Sequence, residues 1–337
     1  MKNLARQRLR DLGLPRRRDD DWLYFPVARL AKIEIPEAEA AVSEPDTLGI
    51  AKERNYAALL PLAFGAKPLE KVVPEGASES GILKSRDEFA RSRISLGKGS
   101  SLKLEMLGNS GEHETFAERL DVEVDEGATF ALFLNEAERE AAMRLLHVRI
   151  FARTASNLRL DVLRHGAGLS RVSFEIFLAG EASTLTFRSL SVLRGESSSH
   201  THLKIHHDAP GTVSSQLARN LLSGTSYASY DGQVTVSPAC KNANSSQIIN
   251  TILQSEGAKV SAKPVLRILH DEVECTHGCT CGSLDPEELF YMASRGFSAA
   301  DAKRLLARSF AREVFFKKEE ESPFAKRLLS ELSSLGY

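Results

Sequence analysis

A short pattern returns along the middle of the chain at nearly constant spacing, and it restricts the available folds more than any other feature. Gly99-Ser100-Ser101-Leu102, Gly127-Ala128-Thr129-Phe130 and Thr154-Ala155-Ser156-Asn157-Leu158 share a small-small-polar-apolar run. Ala182-Ser183-Thr184-Leu185 and Gly257-Ala258-Lys259-Val260 repeat it. The apolar anchors at 102, 130, 158 and 185 are 28, 28 and 27 residues apart; the anchor at 260 follows after 75, about three shorter steps. A period in this range marks a solenoid, in which each turn covers the open edge of its neighbour. Around the anchors the apolar residues alternate, as in Leu102, Leu104, Met106, then Leu120, Val122, Val124, then Val172, Phe174, Ile176, Leu178 and Leu185, Phe187. That is the period of a strand, so the solenoid is expected to be a β-helix. A β-sandwich also has short strands, but its turn signals recur every ~8–12 residues.

Helical signals flank this core. Leu4, Leu9, Leu12 and Leu14 are roughly helix-spaced until Pro15. Arg16-Arg17-Arg18 and Asp19-Asp20-Asp21 form a neutral charge block, read as a solvated turn or a partner contact. The sole tryptophan, Trp22, follows it and is expected to anchor the N-terminal region on the core. Pro61, Gly65, Pro68, Pro74 and Gly76 suggest a linker or an irregular crossover over Pro61–Gly81. Glu136–Leu146 is locally helix-prone, either as an insertion or as a propensity that the stack overrides. Near the end, Asp285-Pro286-Glu287-Glu288 opens a helix, Gly296 stops it, and Ser298 with Asp301 caps the next. Ala302, Leu306 and Phe310 make an apolar stripe, Lys317–Pro323 breaks it, and Phe324, Leu328, Leu329 and Leu332 mark a last amphipathic helix. The expected organisation is a mostly helical region with linker at 1–85, a β-helix core at 86–283 and a helical domain at 284–337, mainly β overall.

Charge and cysteine usage narrow the function classes. The formal net charge is −1, which disfavours a nucleic-acid binder. The charged N-terminus has no apolar stretch of the kind a secretory signal carries. No apolar run approaches the roughly 20 residues that cross a bilayer. Four cysteines, three of them within seven positions, are too few for a disulfide framework, so reduced thiols and a cytoplasmic location are expected.

Those three cysteines carry the strongest chemical signal. Cys275-x-His277-x-Cys279-x-Cys281 sets thiols and an imidazole at alternate positions. These ligand types suit zinc and iron–sulfur clusters. In an extended strand all four would share one face, spread over roughly 20 Å, too far for a single metal ion unless the chain turns at Gly278 or Gly282. The alternative is that Cys275 and Cys279 simply pack as small apolar residues. His200, His202, His206 and His207 form a second cluster, read as satisfied surface or groove histidines rather than a metal site. Cys240 stands alone and is expected to be structural. No nucleophile elbow, phosphate loop or zinc-protease helix is present, so the chain is expected not to be an enzyme.

The run Asp271–Gly296 closely resembles the C-terminal signature of the SufB/SufD family, the scaffold subunits of SUF iron–sulfur cluster assembly. The resemblance is carried by Cys275-Thr276-His277-Gly278 and by Leu289-Phe290-Tyr291-Met292-Ala293-Ser294-Arg295-Gly296. Thr201, His207, Ala209-Pro210, Thr212, Ser214, Arg219, Tyr230-Asp231-Gly232 and Lys263-Pro264 extend it upstream. The pattern is closer to SufD than to SufB. The resemblance implies a right-handed parallel β-helix and a non-catalytic subunit that pairs with a SufB-like paralogue, or with itself in its absence. It implies a transient iron–sulfur cluster at that interface, held through His277 and Cys275, with no stable cofactor on the isolated chain. Cys279 and Cys281 depart from the family pattern. The C-terminal helical domain, with Phe290, Tyr291, Arg295, Gly296, Leu306 and Phe310, is implied to dock a SufC-type ATPase. Two other readings remain open: a β-helix enzyme acting on polysaccharide, and a stand-alone zinc protein using residues 275–281.

Overall fold

The computed structural model describes residues 1–16, 18–33, 50–84, 87–108, 115–137, 142–166, 168–316 and 322–337. Among the described residues two α-helices, α1 (Lys2–Leu12) and α2 (Tyr56–Phe64), with short 3-10 turns between them, precede the strands. The coil then runs through β1 (Leu69–Val73), β2 (Ser78–Leu83), β3 (Phe89–Leu96), β4 (Ser101–Leu107), β5 (Thr115–Val124) and β6 (Thr129–Glu136). It continues as β7 (Met143–Ala152), β8 (Asn157–Arg164), β9 (Leu169–Leu178), β10 (Thr184–Leu193) and β11 (Ser198–His207). It ends with β12 (Val213–Leu222), β13 (Tyr227–Val236), β14 (Ala243–Leu253), β15 (Lys259–Ile268) and β16 (Val273–Gly282). Three helices follow: α3 (Pro286–Ser294), α4 (Ala299–Arg312) and α5 (Ala325–Ser334). Odd-numbered strands stack in order into one parallel sheet and even-numbered strands into another, each of eight strands. The chain is a parallel β-helix.

The repeat is visible in the register. Leu102, Phe130, Leu158 and Leu185 lie side by side in the even sheet and fill the interior. The small-small prefix is the corner before each even strand. Its first residue has positive φ, as at Gly127 (66°) and even Ala155 (52°). The next is sealed between stacked corners, where only a small side chain fits: Ser100, Ala128 and Ser156 are at most 1% exposed. Backbone bonds tie corner to corner, Gly99 N–H to Glu126 O and Gly127 N–H to Thr154 O, both 2.9 Å. Val260 does not continue this column. It lies in the odd sheet beside Ala228, and the even-sheet column passes from Leu185 to Ser214, Ser245 and Cys275.

Two further expectations are corrected, and a third is decided between its alternatives. Pro61–Gly81 is neither a linker nor an irregular crossover. Pro61 sits inside α2, whose residues 56–63 are all buried. A helix apolar on every side is held by packing, which outweighs the backbone bond that the proline removes. β1 and β2 then begin the coil, so it starts before residue 86. Helix propensity in Glu136–Leu146 yields to the stack at both ends, with Glu136 in β6 and Met143–Leu146 in β7; residues 138–141 lie outside the described residues. So do Arg17 and residues 317–321 of the expected charge block and helix break.

Helices cover both outer faces. α1 and α2 pack on the odd sheet through Leu9, Leu59, Leu60 and Leu62 against Ala117, Met143, Leu145 and Leu169. Trp22 anchors this region, 2% exposed, with the Arg171 guanidinium 4.1 Å from its ring centroid. The neighbouring Asp21 binds Lys204 at 2.8 Å and His202 at 3.4 Å, and Arg171 donates to its carbonyl at 2.6 Å. α4, α5 and the turn between them pack on the even sheet through Ala307, Ala311, Phe315, Leu328 and Leu332 against Phe133, Leu163, Leu190 and Leu221. The face of α4 that is buried thus carries Ala302, Ala307 and Ala311. Leu306 and Phe310 of the expected stripe are half-buried beside it, because alanines permit the closer approach. Among the described residues no helix is long and apolar enough to cross a membrane.

A buried ionic cluster locks one corner. Glu136 accepts from Arg164 Nε at 2.6 Å and from Ser170 at 2.9 Å, and lies 3.2 Å from Arg144, which also pairs with Glu118 at 2.7 Å. All four charged side chains are at most 2% exposed residues. Burial alone would raise the Glu136 carboxyl, yet the two guanidiniums and the hydroxyl bring it below its ordinary value.

Candidate functional site: the open last turn

The coil stops at β15 and β16, which are the terminal strands of their sheets. Every earlier turn has a successor covering it, and this one has none among the described residues. Its outer backbone groups therefore face away from the stack, a ready template for another strand. The two edges differ. β15 carries Pro264, which has no N–H to offer, and Lys259, Lys263 and Arg267, all features that discourage pairing. β16, VECTHGCTCG, has neither proline nor lysine. The pairing-competent edge is β16.

The sequence pattern places Cys275, His277, Cys279 and Cys281 on alternate residues of that strand, and the register shows which face they occupy. Cys275 continues the column of Ser214 and Ser245, and His277 the column of Phe187, Gln216 and Gln247. Cys279 follows Ala218 and Ile249, and Cys281 follows Asn220 and Thr251. These predecessors are all buried. The four side chains thus continue interior columns of the coil and are uncovered because no further turn covers them among the described residues. Cys275 is half-buried against the core, while His277, Cys279 and Cys281 are exposed.

The four groups share a face but do not converge. Among the described residues no group of three or more histidine, cysteine, aspartate or glutamate side chains is close enough to hold a metal ion. The extended strand keeps them spread, as Gly278 and Gly282 do not turn the chain within β16. Burial pushes the Cys275 thiol above its ordinary value, and burial with the neighbouring Cys281 does the same for Cys279. A thiolate at either position needs a bound cation or a partner's positive charge.

Beneath the rim lies a polar track that the sequence did not reveal as a unit. His207, 0% exposed, bonds Thr212 through Nδ1 at 2.8 Å and Ser214 through Nε2 at 2.9 Å; Ser214 bonds Ser245 at 2.9 Å, and Ser245 is the register neighbour of Cys275. Gln247 donates to Gln216 at 2.9 Å and underlies His277. Gly232 makes room for that amide: a Cβ there would lie 2.0 Å from Gln247 Nε2. The available signal was polar residues standing at anchor positions that are apolar in earlier turns.

In the other histidine cluster, too, no three ligand side chains come close enough together to hold a metal ion among the described residues. His200, His202 and His207 are not at the surface but buried within the packed structure. His200 bonds Ser198 and Ser229, and His202 meets Asp21. His206, half-buried, stacks on Phe177 with centroids 4.6 Å apart. Cys240 is buried, its thiol donating to His207 O, as expected of a structural residue.

The C-terminal residues divide. α3 starts at its Asp285 cap, which accepts from Glu287 N–H at 2.8 Å, and it buries none of its residues. Phe290 is 77% and Tyr291 56% exposed, with Arg295 over the Tyr291 ring at 5.1 Å. Gly296 takes φ of +88° to end the helix. Phe310 instead serves the chain itself. The Arg219 guanidinium lies 4.5 Å from its ring and donates to its carbonyl at 2.7 Å, while also pairing with Glu313 at 2.6 Å.

The fold and the site define a parallel β-helix with an uncovered last turn that carries thiols and an imidazole, and comparison with known proteins narrows the class. Residues 81–310 match the family model described as SUF system FeS cluster assembly, SufBD core domain. The chain belongs to the SufBD family. It is similar to an iron–sulfur cluster assembly SufBD family protein of Synechocystis, 30% identical over 58% of this chain and 43% of that protein. It is similar to the iron–sulfur cluster assembly protein SufD of Escherichia coli, 31% identical over 45% of this chain and 34% of that protein. A SufBD family protein of Mycobacterium tuberculosis aligns over 90% of this chain and 85% of its own length at 23% identity. The matched part thus spans less than half the length of the first two relatives.

Proposed function

We propose that the chain is a non-catalytic SufD-like scaffold subunit in iron–sulfur cluster assembly, completed by strand pairing on β16 with a SufB-like paralogue, or with a second copy where no paralogue is present. The observation that carries this reading is the uncovered β16 edge bearing His277 and Cys275. A second strand laid against it supplies the missing backbone partners and brings its own ligands to those of this chain. The nascent cluster is cargo at that seam. His277 offers an imidazole nitrogen and Cys275 a sulfur, with Cys279 and Cys281 on the same face as further soft donors. The interface must also lower the thiol pKa, which this chain alone raises.

The projecting α3 surface, Phe290 and Tyr291 with Arg295, fits a docking site for a SufC-type ATPase, since aromatic residues and arginine are the usual anchors of protein interfaces. ATP hydrolysis belongs to that partner in this reading, and the complex works in the cytoplasm, where thiols stay reduced.

The test is co-expression of the full chain with a SufB-like subunit and a SufC-type ATPase, then purification. A stable complex is expected, and Phe290→Ala with Tyr291→Ala should lose the ATPase while keeping the SufB-like subunit. His277→Ala should leave thermal unfolding unchanged, because the residue is exposed, yet reduce cluster delivery to an acceptor protein. A chain that stays monomeric with both partners present overturns the reading.

A further inference from the structure

A cavity of about 730 Å³ lies outside the coil, against the outer face of the odd sheet and beneath the N-terminal elements. Its floor is a row of side chains in register across β7, β9 and β11: His147, Ser173 and His202. Tyr56, at the start of α2, and Trp22 line its walls, with Arg16, Lys52 and Arg54 among the exposed residues around it.

Three polar atoms in this lining have no hydrogen-bond partner among the described residues: Tyr56 Oη, His147 Nε2 and Ser173 Oγ. Their residues are 1%, 2% and 1% exposed. Native proteins rarely leave a buried polar group unpaired, and three on residues that line one cavity call for an occupant that reaches them. The hydrogen bonds around them determine what they present. Asn55 Oδ1 accepts from Ala57 N–H, which turns its amide nitrogen toward His147 Nδ1 at 3.2 Å. Nδ1 therefore accepts, and the proton of the neutral ring sits on Nε2. Tyr56 and Ser173 have hydroxyl protons to give. The site offers three donors.

The charges around it point the same way. Four of the five acids that line the cavity are engaged: Asp21 with Lys204 and His202, Glu175 with Arg149, Glu53 with the backbone N–H groups of Arg54 and Asn55, Asp19 with that of Arg16; the fifth, Asp20, is 92% exposed and lies 4.0 Å from Lys263, turned to solvent. The side chains of Arg16, Lys52 and Arg54 have no ion-pair partner among the described residues. Donors at depth and unpaired cations at the margin select a ligand rich in acceptor oxygens. The volume lies within the ~300–1,000 Å³ of small-molecule sites, so a bare inorganic anion would fill only part of it.

We propose that this cavity binds a small metabolite through an oxyanion, a phosphate or a carboxylate, whose oxygens accept from Tyr56 Oη, His147 Nε2 and Ser173 Oγ, while Arg16, Lys52 and Arg54 draw it in. The site is separate from the β16 rim and stands whether or not the rim pairs with a partner.

Calorimetric titration of the full chain with inorganic phosphate, adenosine monophosphate and acetate tests it. Saturable binding of phosphate and the monophosphate, or of acetate, supports the proposal and says which oxyanion the site takes. Tyr56→Phe and Ser173→Ala each remove only a donor, and each should weaken binding by roughly tenfold or more, as a hydrogen bond to a charged acceptor is strong. In ligand-free buffer the same variants should unfold at the parent temperature or higher, because each deletes an unpaired buried group. His277→Ala should bind the probe as the parent does. No saturation by any of the three probes, a double variant that binds as tightly as the parent, or variants that unfold earlier without ligand would each overturn the proposal.

Discussion

Mild acid should destabilise this protein, because four of its histidines, His147, His200, His202 and His207, are buried as neutral rings. Burial brings His202 down from 6.5 to about 4, against the pull of Asp21, and brings His207 from 6.5 to about 4. The unfolded chain accepts a proton near 6.5, and the folded chain does not until about 4. Stability is therefore whole above the unfolded value and is lost as pH falls between the two. Each histidine costs on the order of 2 kcal/mol at about pH 5, from ~1.36 kcal/mol per unit of pKa shift. His147 and His200 are displaced in the same direction by burial and by nearby arginines. Asp161, Glu175 and Asp231, raised by burial, work against this and keep the total below the simple sum. Against the ~5–15 kcal/mol of a typical domain, the two best-defined histidines alone remove a large share. Urea unfolding followed by circular dichroism, at neutral pH and at about pH 5 with fixed salt, should show the midpoint falling at constant slope. Trp22 fluorescence follows the N-terminal region, whose Asp21 meets His202. His207→Gln should make the fall shallower. A midpoint that holds steady or rises on acidification refutes the reasoning.

Two substitutions probe the coil itself. Glu136→Gln keeps the side-chain shape but leaves Arg164 without its carboxylate, and should cost about 3–5 kcal/mol in urea unfolding, the usual penalty for breaking a buried pair; a loss well under that range would mean that water reaches the corner. Gly232→Ala puts a methyl 2.0 Å from Gln247 Nε2 and 2.7 Å from Tyr230 Cε1, and should cost about 1–3 kcal/mol as overpacking. Because Gln247 underlies His277, the same variant should also lower the yield of complex with a SufB-like subunit, and an unchanged yield would detach that amide from the rim.

The architecture was legible where chemistry repeats along the chain. Spacings of 28, 28 and 27 residues became true neighbours in the even sheet, because each corner needs a positive-φ residue and then a small one. The same signal misassigned Val260, since corners of the odd sheet use the same small residues. β1 and β2 were missed because prolines and glycines surround short terminal strands, and the second half of α2 because Pro61 looked like a break rather than a tolerated member of a wholly buried helix. The alternate spacing of Cys275, His277, Cys279 and Cys281 did predict one shared face. The oxyanion cavity could not be read at all. It depends on Asn55 meeting His147, 92 residues away, and no local pattern announces such a pair.

The rim and the repeat are one feature seen at two places. In the even sheet, Leu102, Phe130, Leu158 and Leu185 fill their column with hydrocarbon, and Ser214, Ser245 and Cys275 then occupy the same place. The neighbouring column changes likewise, from Leu160 and Phe187 to Gln216, Gln247 and His277. A coil that needed only stability would keep apolar residues to its end and cap them. This chain instead trades hydrophobic filling for hydrogen-bonded polar groups over its last turns. The exchange makes sense if the final interior positions are meant to stay accessible to a ligand-bearing partner. Replacing Gln216 and Gln247 together with leucine should therefore leave the coil folded, or stabilise it, while impairing what happens at His277. A double variant with full cluster delivery would show the polar columns to be incidental.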